Sequence, residues 1–98
     1  MNQNAAFGLA LRHIRMQRKL TQEDFSSVSS RTYLSTLERG LKSPTLEKID
    51  QLAETLKVHP LTLLTQAYLI KDKDVDVEGL LVRIASEVAD LAAKPDEE

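Results

Sequence analysis

The sequence predicts an all-α protein, on three observations. Apolar residues recur at intervals of three and four along most of the chain, with no convincing run of period-two alternation. Residues suited to helix ends fall between these segments: Thr21 with Asp24 three positions on, Ser43-Pro44-Thr45, His59-Pro60, and Gly40 as a terminator. A length of 98 residues allows one domain with a small appendage and only a modest core, which short helices can build.

Taken in order, the first helix is expected over about Ala5 to Lys19, with Phe7, Leu11 and Ile14 on one face. Thr21 caps a second, ending near Val28. Ser29 or Ser30 caps a third, which stops at Gly40. Ser43-Pro44-Thr45 opens a fourth carrying Leu46, Ile49, Leu52, Ala53 and Leu56. His59-Pro60 opens a fifth carrying Leu61, Leu64 and Ala67, with Pro at a tolerated first position. After Ile70, "KDKDVDV" reads as an alternating-charge linker, followed by an amphipathic helix over about Val77 to Ala93. Gly79 weakens the start of that helix by roughly 1 kcal/mol relative to Ala. The closing "KPDEE", Lys94 to Glu98, is expected to fray. The chain thus divides into a domain at 1–70 and an acidic linker with a C-terminal helix at 71–98.

The net charge of −2 alone argues against a polyanionic partner, and its distribution argues for one. Residues 1–45 hold seven Lys/Arg against three Asp/Glu, a balance of +4; residues 46–98 hold six against twelve, a balance of −6. A basic half facing nucleic acid fits this asymmetry, and so does ordinary solvated charge. No cysteine is present, so there is neither a disulfide framework nor a thiolate metal site. No apolar run approaches the roughly 20 residues of a membrane span. The start "MNQNAAFG" lacks a charged region followed by an apolar core, so a soluble, cytoplasmic protein is expected. His13 and His59 have no acidic or thiol neighbours at ligand spacing. Asp72, Asp74 and Asp76 lack the glycine and terminal glutamate of a calcium loop. With no phosphate-cradling glycine loop and no nucleophile constellation, the sequence implies no enzyme, cofactor or small-molecule ligand.

The third predicted helix, in "SSRTYLSTLERG", is the informative one. At 100° per residue Leu34 and Leu37 face one way, while Thr32, Ser35, Thr36 and Arg39 project from the opposite arc and Arg31 stands at the N-terminal shoulder. A merely solvated face would more often carry Glu and Lys, which are better helix formers. Short hydroxyls and arginines can instead approach base edges, Arg pairing with guanine and Thr offering a hydroxyl or a methyl.

The run "LTQEDFSSVSSRTYLSTLERGLKSPTLEKIDQLAETLKVHPLTLL" closely resembles the helix-turn-helix domain of the phage-repressor-like Cro/CI (Xre) family, over about residues 7–66. Its most specific parts are Thr21-Gln22-Glu23, Tyr33-Leu34, Leu37-Glu38-Arg39-Gly40 and Pro44, in the family's order. The resemblance implies a five-helix domain whose third helix enters the DNA major groove while the second crosses the backbone. It implies base contacts from Arg31, Thr32 and Thr36, with Ser35 as a fourth candidate. It implies phosphate contacts from Gln22 and, around the recognition helix, from Ser30, Arg39, Lys42 and Ser43. Tyr33 can contact a phosphate through its hydroxyl or pack at the helix edge. Arg15 and Glu38 match a structural ion pair linking helices one and three. One departure stands out: between Phe25 and Arg31 the family pattern has two more residues and a glycine, where this chain has only "SSVSS".

The function implied is a sequence-specific transcriptional regulator, a repressor, binding double-stranded DNA as a homodimer. A protein-interaction module of antitoxin or adaptor type, using the same fold, is the rival. The dimerisation seam is read from spacing: Val77, Leu81, Ile84, Val88 and Leu91 follow at 4, 3, 4 and 3, a coiled-coil-like stripe over two heptads. Two heptads are too short to hold an isolated coiled coil, so the stripe must also lean on the domain or on its symmetry mate.

Overall fold

A computed structural model describes residues 1–93, which form five α-helices and one 3₁₀ segment, with no strand among the described residues. The expected fraying of Lys94 to Glu98 lies outside the described residues. Helix α1 spans Gln3–Gln17. It starts two residues earlier than the apolar pattern predicts, because the Asn2 side chain accepts a hydrogen bond from Ala5 N at 2.7 Å and so caps it. It also ends earlier, with Lys19 in the left-handed conformation at φ 60°.

The second predicted helix is corrected by the structure. Gln22–Phe25 is a single 3₁₀ turn, and Ser26 to Val28 continue as turn rather than helix. A 3₁₀ turn rises about 2.0 Å per residue against 1.5 Å for an α-helix, so it carries a shortened segment farther. Two consecutive serines, whose side chains compete for backbone partners, do not extend it. Its start is a complete capping box: Asp24 N donates to Thr21 Oγ1 at 3.3 Å, and Thr21 N donates to Asp24 Oδ2 at 2.7 Å.

Helix α2 spans Arg31–Glu38, α3 Leu46–Leu56, α4 Pro60–Lys71 and α5 Val77–Ala93. Thr45 caps α3, and the His59 ring nitrogen Nδ1 accepts from Leu61 N at 3.0 Å to cap α4. His59 is therefore a capping residue. The linker aspartates act similarly: Asp72 Oδ1 accepts from Asp74 N, and Asp76 Oδ1 accepts from Gly79 N at 2.7 Å at the start of α5. Among the described residues no three His, Cys, Asp or Glu lie together as a metal site, and no helix is long and apolar enough to cross a membrane.

The core gathers Phe7 and Leu11 of α1, Phe25 of the 3₁₀ turn, Leu34 and Leu37 of α2, Leu52 and Leu56 of α3, and Leu63 of α4, all buried. Each such side chain contributes about 1.5–3 kcal/mol over its exposed state. α1 packs along α4 and across α2, so it is the element on which α2 is mounted. α5 makes no extensive contact with any other element.

Candidate nucleic-acid interface

Helix α2 begins at Ser30, whose Oγ accepts from Tyr33 N at 3.0 Å. It ends in a Schellman motif: Gly40 at φ 75°, Gly40 N donating to Leu37 O, and Leu41 N donating to Thr36 O at 3.1 Å. Two fully buried apolar side chains, Leu34 and Leu37, hold it from below.

The opposite arc brings Arg31, Thr32, Ser35 and Thr36 together, Arg31 and Thr32 exposed and the other two half-buried. Thr36 Oγ1 donates to Thr32 O at 2.8 Å, so its hydroxyl proton is used inside the helix. Ser30 stands at the N-terminal end of this arc, Arg39 at its C-terminal end, and Lys42 and Ser43 follow in the loop; all four are exposed. The Tyr33 ring is half-buried against the core, with the Lys48 ammonium 5.7 Å from its centroid.

Glu38 fixes the orientation of the helix. Arg15 Nε donates to Glu38 Oε2 at 2.6 Å and Arg15 Nη2 donates to Oε1 at 3.0 Å, a two-pronged ion pair between α1 and α2. Gln22 Nε2 adds a third hydrogen bond to Oε1 at 3.2 Å, and Arg15 Nη1 donates to Leu20 O at 2.9 Å. The carboxylate is thus tied to α1 and to the 3₁₀ turn at once. With the two side chains only 13% and 5% exposed, the pair is largely shielded from water. Gln22, matched to a phosphate contact, has its amide turned toward Glu38; the second N–H of that amide is not used in the bond.

Two contributors escape the sequence reading. A side chain at Gly8 of α1 would sit 2.5 Å from Glu38 O and no farther from Leu37 O, so the backbones of α1 and α2 touch there and only glycine fits. An interior glycine in a helical pattern is the signal that could have found it. Lys19 lines an open hollow together with Gln22 and Arg31, adding a cation beside the N-terminal end of α2.

A short helix, anchored by two leucines and a shielded carboxylate and presenting hydroxyls and a guanidinium outward, matches the arrangement of the second helix of a helix-turn-helix unit. Residues 11–63 match the helix-turn-helix family profile. The chain is 36% identical over 67 residues, 66% of its length and 87% of the other's, to the uncharacterized HTH-type transcriptional regulator y4dJ of Sinorhizobium fredii (strain NBRC 101917 / NGR234). Among solved structures, a crystal structure of the clp gene regulator ClgR from C. glutamicum aligns with TM-score 0.65 and 28% identity over 69% of this chain and 91% of that one. A second crystal structure of ClgR from Corynebacterium glutamicum aligns over 93% of this chain and 90% of that one, with TM-score 0.66 and 24% identity, which shows a shared fold. The chain belongs to the Xre/Cro-CI-type helix-turn-helix family of DNA-binding transcriptional regulators, which are not enzymes.

Proposed function

We propose that the protein is a sequence-specific repressor that binds operator DNA as a homodimer, with one α2 in the major groove of each half-site. The observation that carries this reading is the split of α2 into a buried apolar face and an outward arc of Arg31, Thr32, Ser35 and Thr36. Arg31, Thr32, Ser35 and Thr36 would read bases, while Gln22, Ser30, Tyr33, Arg39, Lys42 and Ser43 would hold phosphates and set register. Residues 1–70 would form the reading domain and 71–98 the dimerising appendage, acting in the cytoplasm where the DNA is. Repression follows from occupancy: a protein seated on its operator blocks access to it.

The dimer is supported by α5. Val77, Leu81, Ile84, Val88 and Leu91 are all exposed, from 40% at Ile84 to 70% at Leu91, and no other element covers them. A second copy placing two α2 helices about 34 Å apart would reach half-sites one DNA turn apart. The same bare face also suits a different protein chain, the antitoxin or adaptor reading. Selection of bound duplexes from a random pool, followed by a gel shift across a salt series, decides between them. A regulator enriches a two-part site and loses affinity steeply as salt rises. A chain that enriches no sequence, yet forms a discrete complex with another protein, overturns the repressor reading.

A further inference from the structure

The shortened link between the 3₁₀ turn and α2 contains no glycine and no residue of positive φ. Three of its N–H groups bond locally: Ser26 N donates to Glu23 O at 3.0 Å, and Val28 N and Ser29 N both donate to Phe25 O at 2.9 Å. The carbonyl of Val28 finds its partner 20 residues away, where Lys48 Nζ of α3 donates to it. The same ammonium lies over the Tyr33 ring of α2. One half-buried side chain therefore touches the turn, the recognition helix and α3 together.

The position of Lys48 makes this placement informative. Thr45 caps α3 and its Oγ1 accepts from Lys48 N at 3.0 Å, so Lys48 lies in the first helical turn. The helix macrodipole disfavours a cation there, and Glu or Asp would suit the position better. A lysine is also seldom buried unless it is paired. Both costs are offset only by contacts that a shorter or anionic side chain could not make.

We propose that Lys48 is a positioning residue for DNA reading: it braces the glycine-free turn and thereby sets the tilt of α2. The inference rests on the DNA-binding reading for its effect on specificity, but the brace itself is independent of DNA. Its role differs from that of a phosphate ligand, because its ammonium is directed inward at a carbonyl and a ring face rather than into the solvent that DNA would replace.

The test uses the full chain with Lys48→Met, which keeps the apolar stem and removes the ammonium, and Lys48→Arg, which restores a cationic donor. Amide hydrogen exchange at Ser29 to Leu34 should rise about tenfold in Lys48→Met relative to amides of α1. The ratio of affinities for the selected duplex over a random one should fall about tenfold, with the salt slope unchanged. Lys48→Arg should recover most of both. If Lys48→Met weakens both duplexes equally and lowers the salt slope by about 1, Lys48 is a phosphate contact and the proposal fails. Unchanged exchange and an unchanged ratio also overturn it. A wild-type chain that selects no duplex removes the DNA reading alone, because the exchange comparison still decides the brace. Should Lys48→Met fail to fold, Lys48→Gln, which removes the charge and shortens the reach, is expected to shift exchange and ratio in the same direction, and an unaltered ratio overturns the proposal.

Discussion

Helix α2 shows the solvent Arg31, Thr32, Ser35 and Thr36; helix α5 shows it Val77, Leu81, Ile84, Val88 and Leu91. Beneath α2 lie two buried leucines, a carboxylate with three hydrogen bonds and a glycine contact to α1. Beneath α5 there is almost nothing, and its one ion pair among the described residues, Arg83 with Glu87 at 3.0 Å, is exposed and contributes at most about 1 kcal/mol. The two helices are exposed for different reasons. A hydrogen-bonding face gains only from a partner whose donors and acceptors match it, and it must be held rigidly to do so. An apolar face gains from removal from water whatever the partner's detail, so it tolerates a loose mounting. On the proposed reading, α2 discriminates among duplexes and α5 is covered by a second copy.

The largest expected effect comes from removing the loosely mounted element. Truncation after Lys73 should leave a folded protein that sediments as a monomer and binds a two-part site about 10³-fold more weakly, through loss of the tethered second contact. A truncated chain that stayed dimeric would move the interface to α4, where Leu61 and Tyr68 are also exposed.

Removing a support of the rigid element comes next. Arg15→Ala or Glu38→Ala should each cost about 3 kcal/mol in a denaturant melt, because the remaining charge is left shielded and unpaired. The double change should cost less than the two singles added, and simple additivity would show that the pair does not interact.

The two glycines sharpen the contrast. Gly8→Ala drives a methyl into the α2 carbonyls and should cost about 1–3 kcal/mol. Gly79→Ala on α5 meets only the Asp76 carboxylate end, so thermal melts should show little loss.

Within the α2 region, Arg31→Ala should lose about 1–3 kcal/mol on the best site and relax preference at one base pair. Lys42→Ala should weaken all duplexes alike and lower the salt slope by about 1. Uniform weakening by Arg31→Ala would place the base reading elsewhere on the helix. The smallest effect has opposite signs in two assays. Lys19→Gly should raise stability by about 0.5 kcal/mol by relieving a left-handed lysine, while it weakens DNA binding by removing a cation. A loss of stability would show that the Lys19 side chain supports the fold instead.

Most of this organisation was legible because it depends on local chemistry. Gly40 marks the end of α2, Thr45 and Pro60 mark the starts of α3 and α4, and the 3–4 spacing marks each buried face. The 3₁₀ turn was not legible, since four residues with one buried side chain, Phe25, carry no period that separates it from an α-helix. The surroundings of Lys48 were hidden for another reason. Its partner is a backbone carbonyl, which no residue type announces, and in sequence a lysine between Glu47 and Ile49 reads as a solvated position. The helical arc of α2 distinguishes inward from outward side chains, not base from phosphate contacts, and only the family resemblance separates those two.

The division of α2 also bears on how such a protein could be retargeted. Leu34, Leu37 and Glu38 answer to the interior, while Arg31 and Thr32 answer only to whatever lies outside. Exposed positions of this kind usually change stability by no more than about 0.5 kcal/mol when replaced. A library randomised at Arg31 and Thr32 would therefore vary the outward inventory on a constant scaffold. New specificities could then accumulate by single steps, each still carried by a protein that folds.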